Sequence, residues 1–179
     1  MRYIAFLRGI NVGGHNKIKM EDLTNLFISL GYKNVKTIIQ SGNVIFEASD
    51  KSVKSITLKI ENKLYEYMKS EIRVFVRTYI ELLNIIQQNP FGKIKADNKI
   101  KTYVFFLYEE PEGKSKLPLN SPNKEVSVFQ KINLNLFMYV KKMPGKSSSP
   151  NKFIEKTFGV PATARYWNVV CGIVEKASI

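Results

Sequence analysis

Val35-Lys36-Thr37-Ile38-Ile39-Gln40-Ser41-Gly42-Asn43-Val44-Ile45-Phe46-Glu47 is the stretch that decides how the chain folds. Its two β-rich runs, 35–40 and 44–47, are joined by Ser41-Gly42-Asn43, the composition of a hairpin turn. Upstream, Leu23, Leu26, Phe27 and Leu30 recur at i, i+3, i+4 and i+7, which predicts an amphipathic helix over 20–30 ended by Gly31. Before that helix, Tyr3 to Leu7 is a continuous apolar run, as expected of a central strand covered on both faces. Downstream, Val53, Ile56, Ile60, Leu64 and Tyr67 mark a second, longer helix. Ile72, Val74 and Val76 then alternate with Arg73, Phe75 and Arg77 as a fourth strand. The order is βαββαβ, a ferredoxin-like split βαβ arrangement.

Thr78 with Glu81 three residues on is a capping box for a third helix carrying Leu82, Leu83 and Ile86. Asn89-Pro90-Phe91-Gly92 then marks a boundary, so the expected domains are 1–90 and 91–179. The second half partly echoes the first. An apolar strand covers 102–108, and Pro111, Pro118 and Pro122 keep any helix in 109–124 short. A hairpin follows over 126–131 and 134–141, turning at Ile132-Asn133, and 143–150 is a Gly/Ser/Pro loop. Ser149 and Pro150 suit the cap and first position of a helix that ends at Gly159. A last helix is expected from about Thr163, with Trp167, Val170, Cys171 and Val174 as its apolar stripe. The fold class is α+β, a ferredoxin-like N-terminal half with a second, partly similar strand–hairpin–helix half. The halves share a plan without being sequence repeats.

A chain of 179 residues with 44% hydrophobic and 12% aromatic residues can build a proper core without staples. Its one cysteine, Cys171, excludes an internal disulfide, fits a reducing cytosol, and is expected to be buried and inert. No apolar run reaches the roughly 18 residues of a membrane span. The apolar start is too short before Arg8 for a signal peptide. The expected location is cytoplasmic, with no membrane partner. The net charge of +13 attracts polyphosphate. It comes from 23 Lys and 5 Arg interspersed with acids and apolar residues, in an Ile-, Asn- and Lys-rich composition typical of an AT-rich genome. A merely solvated basic surface competes with the nucleic-acid reading.

The candidate functional element is Arg8-Gly9-Ile10-Asn11-Val12-Gly13-Gly14-His15, between the first strand and the first helix. In the expected topology the first and second strands are parallel with the third between them, so this loop and Ser41-Gly42-Asn43 emerge on one sheet edge. Backbone amides of a glycine-rich loop running into a helix start suit an anion, through orphan N–H groups and the helix dipole. Arg8, Asn11, His15, Lys17 and Lys19 add side-chain donors, and Ser41 and Asn43 add hydrogen bonds from across the edge. Gly9, Gly13, Gly14 and Gly42 equally suit the turns themselves, with Arg8 as a brace of the loop. Neither a dinucleotide loop nor a P-loop fits: G-x-G-x-x-G is absent, and His15 stands where a P-loop needs Lys. One histidine and one cysteine are too few for a zinc site, so no metal and no cofactor are implied.

Arg165, Trp167 and Asn168 form a secondary candidate on the expected last helix, where Arg165 and Asn168 share a more polar face. A capped, packed helix is the simpler reading. Lys146-Ser147-Ser148-Ser149 is either a flexible connection or a second anion-binding helix entrance. Together the motifs Arg8–His15, Gln40-Ser41-Gly42-Asn43, Gly159–Arg165 and Trp167-Asn168 resemble the family catalogued as domain of unknown function 1697, over essentially the whole chain. Tyr166 and Val169 stand where the family pattern has Asn and Thr. The resemblance implies a bacterial protein with ferredoxin-like subdomains and no established activity. Three functions compete: a module binding a phosphate-bearing small molecule or nucleic acid at the strand 1–helix 1 loop, an enzyme on a small anionic metabolite with Arg8 holding the anion and His15 moving protons, and a structural or protein-interaction unit. The oligomeric state is left open.

Overall fold

The computed structural model describes residues 1–14, 16–94, 97–113, 116–141 and 149–178. It is a mixed α+β fold with two antiparallel sheets and five helices among those residues. By contacts the chain divides into one unit of Met1–Leu83 with Ile173–Ile179, and a second of Asn84–Gly172.

The first unit contains β1 (Arg2–Leu7), α1 (Met20–Ser29), β2 (Lys33–Ile38), β3 (Asn43–Glu47), α2 (Val53–Met68) and β4 (Val74–Thr78). Its sheet order is β2-β3-β1-β4, so β1 and β2 flank β3 and each runs antiparallel to it. Residues Ile4, Phe6, Ile45, Phe75 and Arg77 are buried on one face of this sheet, and Tyr3, Ala5, Leu7, Val44, Phe46, Val74 and Val76 on the helix face. The helix-side core takes Leu23, Leu26 and Phe27 from α1 and Ile56, Ile60 and Leu64 from α2. Phe46 is its centre, with ring centroids 5.6 Å from Tyr3, 5.2 Å from Phe27 and 4.8 Å from Tyr32. Arg2 ties the chain's end to this unit by donating to the Ala177 carbonyl, while pairing with Glu47 at 3.0 Å.

Tyr67 departs from its expected place on the buried stripe of α2. Ile56, Ile60 and Leu64 are fully buried, but Tyr67 is 56% exposed. Met68, four residues after Leu64, takes the next place on the stripe and packs against the core, leaving Tyr67 at the border of the stripe. The helix starts at a Ser52 cap whose hydroxyl accepts from the Ser55 amide at 3.2 Å. Asp50 reinforces that start: its carboxylate accepts from the Ser52 amide at 2.9 Å, the Ser55 hydroxyl at 2.7 Å and Lys59 at 3.1 Å. Those bonds hold its carboxyl down at about 2.

From the first unit α3 (Tyr79–Gln88) leads onward, opened by the Thr78 hydroxyl accepting from the Glu81 amide at 3.1 Å. The second unit contains β5 (Ile100–Leu107), β6 (Leu119–Asn120), β7 (Val126–Ile132), β8 (Asn135–Lys141), α4 (Pro150–Phe158) and β9 (Ala162–Tyr166), and α5 (Trp167–Ala177) follows. Its sheet order is β6-β7-β8-β5-β9. The expected start of the last helix near Thr163 is corrected: residues 162–166 pair with β5, and the helix begins at Trp167. The hairpin turn falls at Asn133-Leu134 rather than Ile132-Asn133.

With β6 set aside, the two sheets share their strand order and several paired positions. Phe6 faces Asn43 and Phe106 faces Asn135, both asparagines being fully buried. Asn43 donates to the Ile38 carbonyl at 3.0 Å, and Asn135 to that of Ile132 at 3.1 Å. The Leu7 amide donates to Gly42 at 2.7 Å and the Leu107 amide to Leu134 at 2.8 Å. Ile4 faces Arg77, Val104 faces Arg165, and burial lowers both guanidinium pKa values to about 10. What differs is α1. No helix occurs among the described residues between β5 and β7, where Pro111, Pro118 and Pro122 interrupt the chain.

Two outcomes follow from this packing. Gly42 has φ +74°, and a Cβ there would sit 2.7 Å from Ile10 Cδ1 and 2.9 Å from Leu7 Cβ. A left-handed conformation costs an L-residue about 1–2 kcal/mol, and overpacking adds about 1–3 kcal/mol. Gly42→Ala is therefore expected to lower unfolding free energy by at least about 2 kcal/mol in urea titration. Asp50→Asn tests the α2 start. The carboxyl's ordinary value is 3.8 and folding depresses it to about 2. Its contribution is present above about pH 4 and lost as pH falls toward about 2. Urea midpoints of wild type and variant should differ near neutral pH and converge once the carboxyl is protonated in both states.

Candidate functional site

β1 ends at Leu7, and the chain then turns through residues 8–19 before α1. Hydrogen bonds set the path of this loop. The Arg8 amide donates to the Arg73 carbonyl at 3.0 Å, and the Asn11 amide to that of Asn16 at 3.1 Å. The Asn11 side chain makes the main brace. Its amide donates to the carbonyls of Ile18 and Gln40, each at 3.0 Å, and its oxygen accepts from the Ile18 amide at 2.9 Å. One residue thus closes the loop on itself and ties it to the β2–β3 turn. Left-handed backbone recurs at Gly9 (φ +71°), Asn11 (+54°), Gly13 (+61°), Gly14 (+82°) and Asn16 (+48°).

Beside this loop lies a groove of about 790 Å³, lined by Asn11, Gly14, Lys17, Ile18, Lys19, Met20, Asp22, Gln40 and Tyr67. Lys17 and Lys19 are exposed. Lys19 is the cap residue of α1 and supplies no side-chain cap, so the first-turn amides of α1 are not satisfied that way. Glu21 and Asp22 in the first turn set negative charge against the two lysines. Asp22 and Tyr67 share the groove wall, and the Tyr67 phenol is pushed above its ordinary value by desolvation first and then by its interaction with the Asp22 carboxylate.

The site residues expected from sequence divide between this groove and the frame around it. Asn11, Gly14 and Lys17 line the groove, while Gly9 and Gly13 belong to the loop backbone. Arg8 is half-buried at the end of β1. Ser41 is exposed and accepts from the Asn43 side chain at 3.2 Å. Gly42 and Asn43 are buried within the turn, and the turn residue that reaches the groove is Gln40. His15 and Lys146-Ser147-Ser148 lie outside the described residues. The secondary candidates belong to the second unit. There Arg165, on β9, donates to the Thr163 hydroxyl at 3.0 Å and the Ala164 carbonyl at 2.8 Å. Trp167 packs 5.1 Å from Phe91, and Asn168 accepts from the Val169 amide at 3.0 Å.

Sequence reading missed Asp22, Gln40 and Tyr67. Tyr67 falls on the apolar spacing of α2 and so reads as core, and Gln40 reads as the end of a strand. Cys171, expected to be buried, is half-buried on α5, and desolvation pushes its thiol up. Among the described residues no group of three or more His, Cys, Asp or Glu side chains could hold a metal ion. Nor is any described helix long and apolar enough to cross a membrane.

The family described as "Protein of unknown function (DUF1697)" matches residues 1–137, which include β1, the loop, both helices of the groove and the β2–β3 turn. The chain belongs to that family. A solved structure of the same fold is the conserved bacterial protein SP0830 from Streptococcus pneumoniae, 22% identical over 97% of each chain with a TM-score of 0.65. No curated protein matches this DUF1697 chain by sequence.

Asn11 gives the site a measurable structural signature. Asn11→Ala removes three hydrogen bonds and leaves the Ile18 amide without its acceptor. The expected loss is about 1–3 kcal/mol of stability. Hydrogen exchange at residues 9–19 should accelerate in the variant, while exchange in β5 and β8 stays unchanged.

Proposed function

We propose that this DUF1697 protein is a cytosolic binding module for a phosphate-bearing anion, held in the groove beside the β1–α1 loop. The observation that carries this reading is the groove itself, where Lys17, Lys19 and the uncapped start of α1 converge on one opening of about 790 Å³. Backbone amides at a helix start favour an anion through both their unsatisfied N–H groups and the helix dipole. Asn11 and Gln40 contribute a different property, a preset shape, because their mutual bond fixes the loop before any ligand arrives.

Glu21 and Asp22 work against anion binding, and their position decides where the anion would sit. Both lie inside the first turn of α1, whereas Lys17 and Lys19 precede it. The anion is therefore assigned to the loop end of the groove. A nucleic-acid backbone is a second source of the same phosphate chemistry, favoured by the net charge of +13.

Calorimetric titration with inorganic pyrophosphate at low salt tests the reading. Binding is expected, and Lys17→Ala with Lys19→Ala should weaken it about tenfold or more, since about 1.4 kcal/mol is a factor of ten. Equal affinity in the double variant, or no binding by the wild type, overturns the site. If single-stranded RNA is the physiological source, its log affinity should fall linearly with log salt, with a slope reduced by about 0.7 for each lysine removed.

A further inference from the structure

The groove does not stop at Tyr67. Asp22 and Tyr67 also line a second depression of about 380 Å³, walled by Asn25 and Ser29 of α1 and by Lys63 and Glu66 of α2. Helical spacing explains the arrangement. Asp22, Asn25 and Ser29 stand at i, i+3 and i+7, and Lys63, Glu66 and Tyr67 at i, i+3 and i+4, so each set shares one stripe. These polar stripes border the seam between two helices whose apolar stripes are taken up by the core. Met20 to Ser29 extends about 14 Å along α1 at about 1.5 Å per residue. That length accommodates a ligand with two chemically different ends.

The two ends are opposite in polarity. Lys17, Lys19 and the start of α1 make the loop end positive. Past Lys19 the seam carries the Asp22 carboxylate, which the loop groove shares, and then Glu66. Lys63 pairs with Glu66 at 3.4 Å, which leaves Asp22 as the carboxylate shared with the loop groove. A second phosphate or a carboxylate at this end would meet like charge. Hydrogen-bond donors would find acceptors. Tyr67 lines both depressions and is 56% exposed. An exposed aromatic ring in a polar groove is a surface on which a flat heterocycle stacks.

We propose that the ligand of this groove is a nucleoside phosphate. The phosphate lies at Lys17 and Lys19, and the base stacks on Tyr67 with its N–H edge toward Asp22 and Asn25. This rests on the anion site proposed above and goes beyond it by naming the class of molecule attached to the phosphate. The second unit has no described helix in the place of α1, so the assignment is to the first unit.

Titrations of the full chain with nucleoside 5′-monophosphates, the free nucleosides and inorganic pyrophosphate decide the matter. The expected result is that at least one nucleoside monophosphate binds about tenfold or more tightly than either pyrophosphate or its own nucleoside. Tyr67→Ala should remove that advantage and leave pyrophosphate affinity unchanged, and Tyr67→Phe should retain it within about threefold. Tyr67 is exposed on the last turn of α2, and circular dichroism with the unchanged pyrophosphate affinity confirms that the variants are folded. If pyrophosphate binds through the lysines but no nucleoside phosphate binds more tightly, the nucleoside assignment is overturned and the anion site stands. The nucleoside assignment falls in the same way if Tyr67→Ala leaves nucleotide affinity unchanged. If neither class binds, both readings fall.

Discussion

Burial of β1 on both faces and along both edges is the constraint from which the first unit is built. Its residues from Tyr3 to Leu7 are at most 1% exposed, and it pairs with β3 on one side and β4 on the other. A strand enclosed in this way cannot shift register by one residue without moving Tyr3, Ala5 and Leu7 off the core that α1 and α2 cover. The point where the chain leaves the sheet is therefore held in place. The Leu7 amide bonds to Gly42 and the Arg8 amide to Arg73, so the loop begins at a corner anchored from both sides.

From that corner the loop's polar residues take two kinds of work. Asn11 commits its side chain to backbone partners, and Asn43 is sealed into the β2–β3 turn. Both are asparagines for reasons the fold supplies by itself: a short amide can donate and accept within a tight turn, and Asn tolerates the left-handed backbone that Asn11 adopts. Lys17, Lys19 and Gln40 are left along the groove. A rigid frame carrying a small number of solvent-facing polar groups is the arrangement from which selective binding is built, because little ordering remains to be done when a ligand arrives.

The second unit makes the same sheet from different residues. Phe106 with Asn135 and Arg165 with Val104 hold the places of Phe6 with Asn43 and Arg77 with Ile4. These correspondences sit at strand positions where the pairing geometry dictates what fits, and elsewhere the two units diverge. Replacement of α1 by a proline-rich segment removes the helix seam along which the groove runs. One architecture thus occurs twice in the chain, with the candidate site built on one copy.

Local sequence determined most of the elements. Apolar spacing placed α1 and the body of α2, the hairpin composition placed β2 and β3, and Thr78, Ser149 and Pro150 marked helix starts, because periodicity and capping are properties of a few adjacent residues. The loop of Arg8 to Lys19 was legible as a site candidate on the same local grounds. Tertiary structure decided what depends on distant partners. Ala162 to Tyr166 carries helix-compatible residues yet is a strand, since β5, far away in the chain, offers it an edge. Tyr67 keeps the spacing of a core residue yet stands exposed, since Met68 beside it takes the place against the core. Gln40, Asp22 and Tyr67 share a groove because β1 and the helices bring three separate segments together, and no window along the sequence contains that proximity.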